Sequence, residues 1–192
     1  LTVSCELYPY VEIDGCWTFT DTFIKGLYRK MFDDDDIQHT FLDGSVQSED
    51  DLVRRLKRDD HKVFIVGGEE KVKALVWLSD FRQATAYAHF WVAKEYRGGL
   101  EAVNIAFKFL EEMLYMSDHE GCFMFDVLFA YVSEENKGVV KLLNSLYALS
   151  QQGDSVLSGK VLGVIPNAMI DHYKKRSVNA ILGYATRKEN VS

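Results

Sequence analysis

The stretch WVAKEYRGGLEAVNIAFKFLEEML, residues 91–114, joins a β-like run to a helical pattern through Arg97, Gly98 and Gly99. A strand that leads into a helix leaves the first amide N–H groups without intrahelical partners and pointing one way, and the helix dipole adds roughly half a positive charge there. Two residues without Cβ let a bulky anion reach the main chain, and Arg97 supplies a full charge beside it. Such a junction suits a phosphate or pyrophosphate; a tight turn with no ligand uses the same letters. Two other glycine loops do not fit. GxxxxGK[ST] needs a Lys and a hydroxyl residue that are absent, and GxGxxG follows the first strand of a repeated βαβ pattern, whereas an antiparallel meander precedes this junction. The acidic run Asp33–Asp36 lacks the alternating oxygen ligands and glycine of a calcium loop and is read as solvated surface. No metal is expected.

The 192-residue length is compatible with a single domain over 1–192, and 47% hydrophobic with 27% charged residues is ordinary for a globular chain. A formal charge of −7 argues against a broad nucleic-acid footprint, which needs clustered Lys and Arg. Every apolar run is punctuated by charge well before the roughly 18 to 20 residues of a membrane span, and the opening residues do not read as a secretory signal. Cys5, Cys16 and Cys122 are too few and too scattered for a disulfide framework or a metal knuckle. Reduced thiols, with Cys122 buried, and a cytoplasmic setting are expected.

The elements that would position the junction follow from periodicity. Residues 3–13 alternate as an interrupted or edge strand, and Phe23, Ile24, Leu27, Tyr28, Met31 and Phe32 recur at helical spacing. Ser48 and Asp51 cap a short helix to about Asp59. Runs 61–68 and 71–81 form a hairpin, and 84–93 extends it. After the glycines, Val103, Ala106, Phe107, Leu110, Met113 and Leu114 mark one helix stripe; 122–132 suits a strand buried on both faces; and 136–149 is a helix with Val139, Leu142, Leu143 and Leu146 inward. A strand at 154–164, a short helix opened by Pro166 and running to about Lys175, and a strand at 178–186 complete an α/β (α+β) chain with a mixed, mostly antiparallel sheet.

The strand AHFWVAKEYRGG, the helix after it, the buried strand FDVLFAYV and the segment EENKGVVKLLNSL resemble the GNAT N-acetyltransferase superfamily over about residues 62–165. The resemblance implies a V-shaped opening between strands 84–93 and 122–132, occupied by acetyl-coenzyme A as co-substrate. It implies that the main chain of Trp91, Val92 and Ala93 pairs with the pantetheine arm, that the amides of Arg97, Gly98, Gly99, Leu100, Glu101 and Ala102 hold the pyrophosphate, and that Asn136 orients the cofactor from the other side. Counted from Arg97, the family's first loop glycine is Leu100, while Ala102 fits the last small position. Glu101 would repel a pyrophosphate unless turned to solvent. The Tyr that many members use to protonate the leaving thiolate is Leu143 here.

Acetyl transfer to an amine needs a neutral nitrogen, a route for its proton and a group to meet the leaving sulfur. His89, in the strand lining the implied cleft, is a base or a structural imidazole; Glu95, near the loop, is a base or a solvated turn residue. Asp126, in an apolar run, would have a raised pKa if buried, or would serve the fold through an Arg. Tyr147, one helical turn beyond Leu143, is a replacement acid or a packing residue. Tyr8, Tyr10, Trp17, Phe19 and Phe23 shape the acceptor side or belong to the core. The implied function is transfer of an acetyl group from the coenzyme A thioester to an amine acceptor; the alternative is a non-catalytic binding or assembly protein of the same fold. The letters leave the acceptor and the oligomeric state open.

Overall fold

The computed structural model describes residues 6–67 and 71–188. Cys5 lies outside them. The N-terminal segment forms β1 (Leu7–Tyr10) and a small hairpin, β2 (Glu12–Ile13) with β3 (Cys16–Trp17). Three helices follow: α1 (Asp21–Asp33), α2 (Ile37–Thr40) and α3 (Glu49–Leu56). Thr20 Oγ1 caps α1 by accepting from the Phe23 N–H at 3.2 Å, and Ser48 Oγ caps α3 through the Asp51 N–H at 3.2 Å. Next come β4 (Lys62–Val66), β5 (Ala74–Arg82), β6 (Thr85–Val92), α4 (Leu100–Tyr115), β7 (Val127–Ser133), α5 (Lys137–Ser150), β8 (Leu157–Asp171) and β9 (Arg176–Arg187). No helix among the described residues is long and apolar enough to cross a membrane.

Among the described residues, seven strands form one sheet in the order β1-β4-β5-β6-β7-β9-β8. All its pairings are antiparallel except β6 with β7. Because strand side chains alternate, each face collects its own core. Val63, Ile65, Leu75, Trp77 and Trp91 pack under α1, α2 and α3, together with Tyr10 and Phe19. Val66, Val76, Leu78, Ala86, Ala88 and Val92 face α4, which buries Ala102, Ile105, Ala106, Phe109, Leu110, Met113 and Leu114. Of the N-terminal aromatics, Tyr10, Trp17, Phe19 and Phe23 therefore belong to the core, Tyr10 lying 4.6 Å from Trp17 and Phe19 stacking on Phe23 at 5.0 Å, whereas Tyr8 is exposed.

Four expectations are corrected. The strand expected at 122–132 begins only at Val127; Phe123 and Met124 are exposed, and Asp118 organises the preceding turn by accepting from the Glu120 and Cys122 N–H groups. Cys122 is exposed, not buried. The helix expected from Pro166 does not form: β8 runs through Pro166 at an irregularity between Ile165 and Met169, on an edge strand where the ladder needs no N–H from proline. Asp33–Asp36 is not uniformly solvated, since Asp36 is 7% exposed.

Helix α5 rests on the sheet where β9 is thin. A Cβ at Gly183 would stand 2.9 Å from Leu143 Cδ2, so Leu143 fills the space that the glycine leaves. Gly183→Ala is expected to destabilise the protein by about 1–3 kcal/mol through overpacking, and by distinctly less in a Leu143→Ala background. Urea midpoints of the four proteins give the coupling, and strict additivity would contradict the contact.

Candidate functional site

β6 and β7 run parallel but pair only over Thr85–Tyr87 with Val127–Phe129. Beyond that they diverge, each still held on its outer side: β6 pairs with β5 as far as Val92, and β7 pairs with β9 as far as Ser133. The inner edges of both strands thus face a gap with unused main-chain groups. Ala93 N–H donates to Lys73 O at 2.9 Å, and peptide groups alternate sides along a strand. The peptide groups of Trp91 and Ala93 therefore turn toward β5, whereas those of Ala88, Phe90 and Val92 turn into the gap. Of the three residues expected to pair with a pantetheine arm, only Val92 faces the opening. Ala88 and Phe90 were missed because the side a peptide takes depends on partner register.

The same end of the sheet carries two helix N-termini, since α4 follows β6 and α5 follows β7. The junction after β6 is a 3₁₀ turn, Lys94–Tyr96, then Gly98 at φ +80°, a left-handed conformation that favours glycine. Gly99 is the extended N-cap of α4, and a Cβ at either glycine would meet nothing within 4 Å. The space beside the first amides of α4 is open. Asn136 caps α5, its Oδ1 accepting from the Val139 N–H at 3.2 Å.

Arg97 does not stand free beside this space. Its Nη1 donates to Asp36 Oδ1 at 2.9 Å, its Nη2 to Asp36 Oδ2, and its Nε to the Val92 carbonyl at 2.7 Å. Trp91 Nε1 donates to the same carboxylate at 2.8 Å. Arg97 is therefore a clamp joining the start of α2, the end of β6 and the glycine junction. Its own amide donates to Lys94 O at 3.2 Å, so the amides open to an anion begin after it. Glu101 does not stand as an unpaired negative charge, because Lys73 Nζ lies 2.9 Å from its carboxylate.

The four acid–base candidates are not brought together. His89 lies on the α1 side of β6, two residues beyond the last β6–β7 pair, with its ring stacked on Trp77 at 4.9 Å and 9°. Burial is the main reason its pKa is pushed down to about 4, helped by the positive charges of Arg55 and His61 and opposed by Asp80 and Asp43. It is a neutral imidazole near pH 7. Glu95 is exposed and 2.5 Å from Lys30 of α1, a hydrogen bond that holds its carboxyl below the ordinary range. Asp126 is not the buried base but the Arg-bound alternative: it is exposed just before β7 and paired with Arg187, at the end of the strand away from the gap. Tyr147 is exposed on α5, whose apolar residues, Leu142, Leu143 and Leu146 among them, are only half-buried.

On the His89 face, Tyr87 and Phe129 lie 5.6 Å apart and Tyr131 lies 6.5 Å from Tyr87, forming a half-buried aromatic floor. Tyr131 donates to Ala168 O at 2.9 Å. The β8–β9 turn closes against the loop after α2: the His172 N–H donates to Leu42 O at 2.9 Å, and the His172 ring occupies the space where a Cβ of Gly44 would lie. These contacts span more than a hundred residues and have no local sequence signal.

With this geometry in view, the comparisons are informative. Spermidine N-acetyltransferase from Vibrio cholerae, solved with CoA and spermine, superposes with a TM-score of 0.65 at 15% identity over 95% of each chain. A Salmonella typhimurium acetyltransferase that modifies the N-terminal serine of ribosomal protein L7/L12 gives 0.65 at 10% identity, over 96% of this chain and 95% of that one. The microcin C7 self-immunity acetyltransferase, solved with acetyl-CoA and AMP, gives 0.62 at 15% identity, over 88% and 89%. The chain has the GNAT acetyltransferase fold. No protein-family model and no curated protein sequence matches it. In this GNAT-fold protein the separated parallel strands are part of the architecture.

Two measurements probe the site directly. Asp36→Ala leaves the Trp91 N–H and the Arg97 guanidinium without their acceptor, and we expect a loss of about 2–4 kcal/mol, moderated by the partial exposure of Arg97; chemical denaturation checks it. For His89, the depressed native pKa means that the unfolded chain holds more protons between pH about 6.5 and about 4. Stability therefore rises with pH across that window and is lost as pH falls through it. His61, also shifted down by burial, adds in the same direction. Melting temperatures from pH 7 to 4.5 should fall less steeply for His89→Gln than for the parent; equal slopes would contradict the buried neutral imidazole.

Proposed function

We propose that the protein is an N-acetyltransferase that binds acetyl-coenzyme A between β6 and β7 and transfers the acetyl group directly to an amine. The observation that carries this reading is the gap beyond Tyr87 and Phe129, with unused strand edges on both sides and two helix N-termini at its mouth. The residues present fit the co-substrate. The peptide groups of Ala88, Phe90 and Val92 offer a ladder for an extended amide-bearing arm, except that the Val92 carbonyl is already taken by Arg97. The amides from Gly98 to Ala102 and the α4 dipole suit a pyrophosphate, with open space where Cβ atoms would otherwise stand. When bound, coenzyme A supplies an activated thioester carbonyl as the acyl donor.

The chain's own part in the reaction is orientation and proton handling. His89 is neutral near pH 7 and serves as the proton acceptor for the incoming amine, directly or through water. The Tyr87, Phe129 and Tyr131 floor forms the acceptor side, and half-buried aromatic faces favour a cation or an apolar stem. The net charge of −7 favours a cationic acceptor through steering, in line with the spermine in the V. cholerae complex. Glu95, engaged by Lys30, and Asp126, engaged by Arg187, are left out of the chemistry. Tyr147 carries a phenol on α5 one helical turn beyond Leu143 and is the proposed proton source for the departing thiolate.

One observation favours a second reading. Leu143 is committed to packing on Gly183, so that position offers no acid, and a protein that binds the thioester without turning it over is consistent with this. Thioester turnover across an amine panel separates the two. Millimolar coenzyme A is expected to raise the melting temperature. Gly99→Val, at an extended position with free space, should leave the unliganded melting temperature within a degree or two, yet weaken coenzyme A about tenfold or more by occupying the anion's place. Equal affinity in parent and variant would overturn the assignment of the loop.

A further inference from the structure

The β5–β6 hairpin carries an irregularity that acyl transfer by itself does not require. The register shifts by one residue between Ser79 and Arg82, and Asp80, within the shift, has φ +52°. An L-residue with a side chain seldom adopts that conformation, and Asp and Asn tolerate it better than most. Here it accompanies a carboxylate folded back onto its neighbour: Ser79 Oγ donates to Asp80 Oδ2 at 3.1 Å, and the same oxygen lies 2.8 Å from Nε2 of His89. Ser79 is buried and Asp80 exposed.

The order of groups fixes the direction of the hydrogen bonds. An ionised carboxylate only accepts, so the single hydroxyl proton of Ser79 points to Asp80. Ser79 Oγ is then an acceptor toward Nε2, which must carry the imidazole proton. Nδ1, without a protein partner among the described residues, keeps its lone pair. Ser79 is the central member of the chain with its proton engaged, which is not the arrangement of a serine nucleophile, where histidine stands between hydroxyl and carboxylate. Trp77, stacked on the ring, holds its plane.

We propose that Asp80 and Ser79 are positioning residues that lock His89 as its Nε2–H tautomer and so make Nδ1 the atom that accepts the amine proton, an inference that rests on the acyltransferase reading for its catalytic consequence. In the step, one proton moves from the attacking nitrogen to Nδ1. The imidazolium formed donates Nε2–H to Ser79, whose hydroxyl remains directed at Asp80, and Nδ1 later returns its proton to water. The charges facing the ring are Arg55 from α3, His61 before β4, Asp43 from the loop after α2, and Asp80; Asp80 and Asp43 favour the cation, Arg55 and His61 oppose it.

Nitrogen NMR of histidine-labelled protein at pH 7 tests this without turnover. The parent is expected to show His89 as the Nε2–H tautomer. Asp80→Asn, which suits the positive φ, allows the side-chain amide to donate to Ser79 Oγ, so that the hydroxyl turns toward Nε2 and the proton moves to Nδ1. Ser79→Ala should give a mixture. A parent in the Nδ1–H form, or a tautomer unchanged in Asp80→Asn, overturns the proposal. With an acetyl-CoA and amine pair that the parent turns over, Asp80→Asn should lower kcat about tenfold or more with acceptor KM within about twofold; a switched tautomer with undiminished kcat also overturns it. If the parent turns over no thioester, the acyltransferase reading fails, while the NMR result still decides the tautomer assignment.

Discussion

A single buried carboxylate organises the end of β6. Asp36 accepts from the Trp91 indole and from both terminal nitrogens of Arg97, and Arg97 in turn holds the Val92 carbonyl. A buried carboxylate is costly to desolvate unless its oxygens are met by several donors, and here two side chains distant in sequence converge on it. The consequence is mechanical. The helical layer of α1, α2 and α3, the last peptide of β6 and the glycine junction are tied to one point, which sets where α4 begins relative to the inner edge of β6. Arg97 thereby sets the geometry of the glycine junction and leaves the space beside the amides after it open.

From that fixed point the rest of the cleft follows. β6 and β7 are the parallel pair in an otherwise antiparallel sheet, so both point their C-terminal ends, and the N-termini of the helices that follow, toward one side. Divergence beyond Tyr87 and Phe129 leaves strand edges that an extended guest can satisfy, and α5 keeps its leucines half-buried against the same side of the sheet. The α1 side of these strands is built differently, from aromatic rings of β6 and β7 and from the β8–β9 turn docked onto the loop after α2.

Local pattern made much of this legible. The α1, α3 and α4 stripes, the cap at Ser48, the β4–β5–β6 meander and the strand–glycine–helix junction all follow from periodicity and turn chemistry within short windows. What escaped was set by partners far along the chain. Asp36 looks like its acidic neighbours until Trp91 and Arg97 fold onto it, and Asp126 and Cys122 look buried in an apolar run until the strand proves to start later. Pro166 reads as a helix start because an edge position that spares its missing N–H is a property of the sheet. Along β6, which peptides face the gap depends on register with β5, and the letters do not encode it.

An amide-resolved NMR titration with coenzyme A tests the central claim most directly. The result expected is saturable shifts concentrated at Ala88, Phe90 and Val92, at Gly98 through Ala102 and at the first turn of α5. Saturable shifts elsewhere with these amides silent, or no shifts at millimolar ligand, would contradict it.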